Sequence, residues 1–253
     1  MNSTEVMREV AAQVSVCQKC NLHLSRKKAV PGQGPDKVEL MFIGEGPGFY
    51  ENEQGLPFVG QAGKFLDDLL ASASVTREDV FITNVVKCRP PGNRDPLPDE
   101  LAACKGYLER QIEALNPTVI VTLGRYSMAH FLPNAKISST HGKATWVNGL
   151  LVVAMYHPAA ALHQPSLKET VLSDFSHLPE FIQQAKKAQQ GRIPPMAATS
   201  NAASLNLTPV QQPEQQSLLD LVTPSEPLPA QTEPMLPKDD DSEDAKPTQL
   251  SLF

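Results

Sequence analysis

Short apolar runs recur along the first two thirds of the chain, and each is long enough for one buried strand. They cover residues 38–43, 80–86, 118–123 and 150–155. Brief runs rich in Val and Ile are typical of strands that are buried on both faces of a parallel sheet. The pattern therefore predicts four strands.

Segments with helical periodicity separate these strands, near residues 62–73, 98–115, 124–131 and 165–188. Strands that alternate with helices indicate βαβ units, in which helices cover both faces of the sheet. We therefore predict an α/β fold with three layers, α/β/α, around a mainly parallel four-stranded central sheet. Asn148 and Gly149 add a hairpin turn signal before the last strand.

The composition changes near residue 191, where Pro, Gln, Ser, Thr and acidic residues become frequent. A segment of this kind buries too little apolar surface to offset the entropy lost on ordering. We therefore expect a globular domain at 1–190, a disordered linker at 191–246 and a short C-terminal peptide at 247–253.

The net charge of −6 is spread unevenly along the chain. Residues 196–253 hold 2 basic and 9 acidic residues, so the preceding part is close to neutral. Its basic residues cluster at 26–28 and at Lys87, Arg89 and Arg94. Such clusters suit local contact with phosphate groups, although they are also typical of solvated surfaces.

Neither a transmembrane segment nor a signal peptide is indicated. No apolar stretch approaches the roughly 18 residues that a spanning helix needs. Glu5, Arg8 and Glu9 occupy the region where a signal peptide would be apolar. We expect a cytoplasmic protein without membrane contact.

The four cysteines fit one pattern: Cys17 and Cys20 form a CxxC pair, and Cys88 and Cys104 follow. A CxxC pair closes a small chelate ring, and two more thiolates complete a four-thiolate site. Zinc and iron–sulfur clusters both accept four thiolates, so the spacing leaves the metal open. Four unrelated buried cysteines remain the alternative, since disulfides are rare inside cells.

Three polar groups fall at the carboxyl ends of predicted strands. Glu45 lies in the glycine-rich turn 44–48, Asn84 lies near the end of the second run, and His157 follows the last. Each has an ordinary structural explanation as part of a turn, a cap or a strand end. Open α/β sheets, however, bind ligands at the carboxyl ends of their strands. We therefore expect a carboxylate, an amide and an imidazole to meet in one crevice.

These residues lie in five motifs: Cys17-x-x-Cys20, residues 44–48, residues 55–63, residues 83–95 and residues 157–162. With these motifs, the chain closely resembles the type-4 uracil-DNA glycosylases over roughly residues 14–186. The resemblance implies a [4Fe–4S] cluster, which would be held by the four cysteines named above.

The resemblance also implies an activity, the hydrolysis of the N-glycosidic bond of uracil in DNA, which initiates base excision repair. The nucleotide would first be flipped out of the helix. Glu45 and His157 take the catalytic positions. Glu45 would direct the attacking water, while His157 and the backbone N–H of Gly46 would stabilise the departing base.

Three further positions match the substrate-binding residues of the family. Phe58 corresponds to the aromatic residue that stacks on the flipped base, and Asn84 to the residue that reads the base edge. Glu51 would crowd C5 and so exclude thymine. Residues 89–95 contain no histidine of the kind found in relatives that bond covalently to DNA, so we expect turnover.

The last five residues resemble the bacterial sliding-clamp-binding motif. Leu250, Leu252 and Phe253 would be its apolar anchors, and Gln249 would orient the peptide. The linker at 191–246 would then tether the glycosylase domain to the replication clamp.

Two alternatives stay open. One is a glycosylase that also removes other deaminated bases. The other is a non-catalytic iron–sulfur module that binds DNA and recruits partners, which would explain the cysteines but not the joint presence of Glu45, Asn84 and His157. In either case we expect a monomer that binds DNA and is associated with the nucleoid.

Overall fold

The structure is a computed structural model that describes residues 2–191. The linker predicted at 191–246 lies outside these residues except for its first position. The peptide predicted at 247–253, with Gln249, Leu250, Leu252 and Phe253, lies outside them entirely.

Residues 2–191 form an α/β structure around one five-stranded sheet with the strand order β2-β1-β3-β5-β4. Strands β1, β2, β3 and β5 are parallel to one another, and β4 pairs with β5 in the antiparallel direction. The predicted parallel arrangement is confirmed. The strands are β1 (Leu40–Gly44), β2 (Val80–Asn84), β3 (Val119–Leu123), β4 (Lys143–Val147) and β5 (Leu150–Met155).

The prediction of four strands was wrong, because β4 is a fifth. This strand lies at the sheet edge, where Lys143 and Trp146 are exposed, so it has no continuous apolar run. The hairpin signal did point to it. Val147 pairs with Leu150, and the two residues between them have positive φ angles of 48° and 86°. A two-residue hairpin requires an antiparallel strand on each side of its turn.

Three of the four predicted helices are confirmed within one residue, namely α4, α5 and α6. The fourth, near 165–188, is broken into a 3-10 turn and two helices, α9 and α10. No helix among residues 2–191 is long and apolar enough to cross a bilayer. The α-helices are α1 (Ser3–Ser15), α2 (Leu22–Ser25), α3 (Phe49–Gln54), α4 (Gln61–Ser72), α5 (Pro98–Leu115), α6 (Arg125–Phe131), α7 (Ile137–Thr140), α8 (Pro158–His163), α9 (Lys168–Ser176) and α10 (Leu178–Gly191).

Two hydrophobic clusters cover the two faces of the sheet. Phe42 of β1 lies in one cluster with residues of α4, α9 and α10, and its ring stacks on Phe175 at a centroid distance of 6.2 Å. The neighbouring residues Met41 and Ile43 lie in the other cluster with residues of α1 and α5. Successive strand residues point to opposite faces, which explains this division. The predicted three-layer architecture is confirmed.

The strand order also locates the crevice. Strand β1 lies between β2 and β3, so the chain continues to one side of β1 first and to the other side later. Open α/β sheets bind ligands at such a switch point, outside the carboxyl ends of the strands. In this sheet, Gly44 and Asn84 are the paired last residues of β1 and β2.

Candidate active site

A cleft of about 660 Å³ opens at the carboxyl ends of the strands. Loops from several strands contribute to its walls, as expected for a site on a rigid sheet. The structure brings together every predicted site residue other than the cysteines and the C-terminal peptide. These residues are Glu45, Gly46, Glu51, Phe58, Asn84 and His157.

Asn84 places a buried amide in the cleft wall. Its side chain is almost fully buried, and its Oδ1 has no hydrogen-bond partner among the described residues. Gly44 makes room for it, because a Cβ at that position would collide with Asn84 Oδ1 and with the ring of Phe58. Buried polar atoms are nearly always hydrogen-bonded, so this oxygen is suited to accept a hydrogen bond from a ligand.

His157 presents a neutral imidazole. It caps the first turn of α8, where its Nδ1 accepts a hydrogen bond from the N–H of Ala159 at 3.1 Å. Burial lowers the pKa of His157 to about 4, although Glu51 acts in the opposite direction. A neutral imidazole that accepts at Nδ1 carries its proton on Nε2. His157 is therefore a neutral N–H donor at pH 7.

Phe58 forms part of both the core and the cleft wall. Its ring stacks on that of His157, with 5.5 Å between centroids and 27° between the planes. The backbone at Phe58 has a φ of 51°, which is uncommon for a residue other than glycine. Gly63 permits this conformation, since a Cβ there would collide with the Phe58 carbonyl. The positive φ holds the ring against the site.

Glu51 ties together the loops on either side of α3. Its Oε1 accepts hydrogen bonds from the N–H groups of Val59 and Gly60 at 2.9 and 3.0 Å, and its Oε2 accepts one from Gly48 at 3.1 Å. This role of Glu51 was not predicted from the sequence. A glutamate three residues after a helix cap is a known signal for such a bond, although it does not predict the two bonds to the second loop.

Glu45 follows β1 directly and has a carboxyl group with a raised pKa. Burial is the main cause, and the negative charge of Asp95 adds to it, while Arg125 acts in the opposite direction. Arg125 and Asp95 form an ion pair with each other. Neither residue was among the predicted site residues. Arg125 begins α6 just after β3, so its place at a strand end was the available signal.

Two cations of the second basic cluster have partners within the protein. Lys87 is almost fully buried, and its Nζ donates to Thr83 Oγ1, to the Asn84 carbonyl at 2.9 Å and to Gln111 Oε1 at 2.7 Å. Burial lowers its pKa to about 8. Arg94 forms a bidentate pair with Glu100. Both cations are therefore occupied within the protein.

The four cysteines line a second pocket. Cys17 and Cys20 lie between α1 and α2, Cys88 follows β2, and Cys104 lies in α5. Burial raises the pKa of Cys104 to about 11 and also raises those of Cys20 and Cys88. Among residues 2–191, no three His, Cys, Asp or Glu side chains are close enough to hold one metal ion.

Nitrogen donors approach two of these sulfur atoms. Arg26 Nη1 donates to Cys88 Sγ at 3.2 Å, and the backbone N–H of Lys87 donates to Cys104 Sγ at 3.3 Å. Hydrogen bonds of this kind stabilise thiolates and tune the clusters that thiolates hold.

The fold and the cleft together define a three-layer α/β protein in which a carboxylate, an amide and a neutral imidazole surround one ligand site. Residues 31–185 match the model of the uracil DNA glycosylase superfamily. The chain belongs to this superfamily.

Curated relatives cover most of the described residues. The chain is 46% identical over 187 residues to a type-4 uracil-DNA glycosylase of Archaeoglobus fulgidus, covering 70% of this chain and 94% of the relative. It is 50% identical over 183 residues to one of Saccharolobus solfataricus, covering 68% and 85%. A third, from Thermotoga maritima, is 43% identical over 183 residues and covers 70% and 95%.

Proposed function

We propose that this protein is a type-4 uracil-DNA glycosylase that hydrolyses the N-glycosidic bond of uracil in DNA and so initiates base excision repair. One observation carries the proposal: the buried Oδ1 of Asn84 has no partner among the described residues, and it lies in the same cleft as Glu45 and His157. The names of the relatives support the same activity.

Asn84 reads the base edge in this proposal. Its Oδ1 accepts from N3–H of uracil, and its amide N–H donates to O4. Cytosine presents the opposite polarity at both atoms, so it would leave buried groups unpaired. Phe58 would stack on the flipped base, and Glu51 would crowd C5 and exclude the methyl group of thymine.

His157 stabilises the leaving base. Breaking the glycosidic bond places negative charge on uracil and positive charge on the sugar. Nε2–H of His157 donates to uracil O2 as the charge grows, and the backbone N–H of Gly46 adds a second donor. Fixed donors of this kind contribute a few kcal/mol in the transition state. Glu45 directs the attacking water and balances the charge on the sugar.

The experiment that tests the proposed function is a release assay on duplexes that contain uracil, cytosine, thymine or hypoxanthine. We expect the parent protein to release uracil and leave cytosine and thymine in place. Asn84→Asp should slow uracil release and weaken the discrimination against cytosine, because it loses the N–H donor to O4. Rapid release of hypoxanthine would favour the broader specificity, and no release from any duplex would refute glycosylase activity.

The rate of uracil release should fall at acidic pH. Glu45 acts as a carboxylate, and its pKa is raised, so activity is lost as the pH falls through that raised pKa. His157 stays neutral until about pH 4. Single-turnover rates of the parent protein should show this decrease at acidic pH. Asp95→Asn should move the decrease to lower pH, because it removes a negative charge that raises the pKa of Glu45. Glu45→Gln should be slow and should not show the decrease.

Cys17, Cys20, Cys88 and Cys104 would hold a [4Fe–4S] cluster. The four thiols fit this group because they line one pocket and receive nitrogen donors at two sulfur atoms. Four cysteine thiolates are the ligands that a [4Fe–4S] cluster takes. The cluster would link the N-terminal segment, the loop after β2 and α5. It supplies no group to the hydrolysis.

The glycosylase domain would cover 1–190 and work as a monomer at the nucleoid. Residues 247–253 would bind the bacterial sliding clamp, with 191–246 as the tether. The motif of Gln249, Leu250, Leu252 and Phe253 supports this.

Deleting residues 249–253 should abolish binding to the clamp and leave uracil release from short oligonucleotides unchanged. The apolar anchors supply most of the affinity at such a site, whereas the cleft lies among other residues. A calorimetric titration of the clamp measures the difference. A matched control replaces Ser251 with alanine, which keeps the anchors. Equal clamp affinity of the full-length and shortened proteins would contradict the assignment.

A further inference from the structure

Two exposed aromatic side chains lie side by side at the rim of the cleft. Phe49 and Tyr50, at the start of α3, are 52% and 56% exposed, and both line the cleft. Their rings meet edge to face, with 5.4 Å between centroids. We call this pair the aromatic shelf. Adjacent exposed aromatic side chains beside a ligand site mark a contact surface.

The loops that build the cleft also hold the shelf. Glu51, the next residue, bonds to the backbone of Gly48 and Gly60. The ring of Tyr50 packs against Gly60, where an added Cβ would lie 3.3 Å from Tyr50 Cδ2. These contacts fix the shelf relative to the cleft, so a molecule that enters the cleft meets the shelf in a defined position.

A cation lies beside the shelf. The guanidinium carbon of Arg89 lies over the Phe49 ring, 5.3 Å from its centroid. Nε of Arg89 donates to Asn93 Oδ1 at 2.7 Å, which orients the group. Arg94 pairs with Glu100, and Lys87 is buried. Arg89, by contrast, forms no ion pair with a carboxylate among residues 2–191 and is only partly buried. It is therefore placed to contact a phosphate next to an aromatic surface.

We propose that the aromatic shelf binds the base next to the flipped uracil on the same strand, one ring stacking on the base and the other contacting it by its edge, while Arg89 contacts the phosphate group between the two nucleotides. This inference rests on the proposed function, which places uracil in the adjoining cleft. A neighbouring nucleotide on that strand necessarily leaves the cleft across its rim. Every base offers a π-face, so the subsite tolerates any neighbour. It requires an unstacked neighbour, and it therefore favours single-stranded DNA.

The test compares two single strands that each contain one uracil. One has ordinary bases on both sides, and the other has abasic sites there, with the phosphates kept. Phe49→Ala and Tyr50→Ala should each raise the half-saturating enzyme concentration on the first strand, by up to the roughly 5- to 160-fold that the loss of one stacked base gives. The second strand should show little change, and the single-turnover rate at saturating enzyme should match the parent's.

Three controls separate stacking from other effects. Phe49→Tyr and Tyr50→Phe keep the aromatic rings and should have the parent's half-saturating concentration. Trp146→Ala removes an exposed aromatic side chain from β4, where it pairs with Leu151 near the amino end of β5, and should have no effect. A 2-aminopurine base beside the uracil should lose fluorescence when the parent binds, but not when Phe49→Ala binds.

The outcomes distinguish this inference from the proposed function. If the parent releases no uracil from either strand, the proposed function fails. If the parent releases uracil but both alanine variants keep the parent's half-saturation on the first strand, the shelf does not bind the neighbouring base. If the alanine variants lose equal affinity for both strands, the inference also fails, because the contact would then be with the backbone or with the uracil itself.

Discussion

Replacing His157 with alanine should slow uracil release by about 100-fold or more in single-turnover assays. The reason is electrostatic. The imidazole is neutral, its Nδ1 is occupied by the N–H of Ala159, and Nε2–H is left to donate to the departing base. A neutral donor needs no proton from solvent, so its contribution persists across the neutral pH range.

A second variant separates this effect from a structural one. His157 also caps α8, and the loss of a helix cap costs about 1 kcal/mol of stability. His157→Asn provides an oxygen that can accept from Ala159, but its side chain is too short to take the place of Nε2. We therefore expect His157→Asn to melt near the parent's temperature and to be as slow as His157→Ala.

His177 provides a matched control, because it lies at the junction of α9 and α10 and its Nδ1 contacts the Ser173 carbonyl. His177→Ala should release uracil at the parent's rate. Parent-like rates for both His157 variants would show that another group stabilises the leaving base.

Much of the fold could be predicted from the sequence, because buried strands and amphipathic helices are encoded by local patterns. The four apolar runs and α5 are examples. Strand β4 was not predicted, because an edge strand needs no continuous apolar run. Helices α1 and α3 also lie outside the predicted segments. For α3, part of the reason is that its contacts form only in the folded chain, such as the bonds of Glu51 to a second loop.

The candidate site also has a part that could be predicted from local patterns and a part that could not. Glu45, Asn84 and His157 could be predicted as neighbours because strand ends converge in a parallel sheet, and the type-4 relatives confirm the predicted uracil-DNA glycosylase. Lys87 could not be placed from sequence. A lysine in a basic run is usually exposed, and its burial depends on acceptors from β2 and α5 that lie far apart along the chain.

Cys104→Ala should lose the bound iron and most of the stability of the folded domain. Cys104 lies in α5, whereas Cys17 and Cys20 follow α1, so the proposed cluster would close long loops of the chain. By analogy with covalent cross-links, closing such a loop contributes about 3–5 kcal/mol. A domain is stabilised by only about 5–15 kcal/mol in total. Losing the cross-link should therefore lower the melting temperature sharply, before any change in base specificity is seen.

Iron analysis and thermal melting of anaerobically purified protein measure the outcome, and the parent should contain about four irons per chain. Cys104→Ser is the matched variant, because serine keeps the size of the side chain and removes the soft thiolate ligand. If packing alone mattered, Cys104→Ser would behave like the parent. We expect it instead to lose iron as Cys104→Ala does. A parent protein with one tightly bound zinc and no iron, or a Cys104→Ser protein with the full iron content, would refute the cluster assigned to these four cysteines.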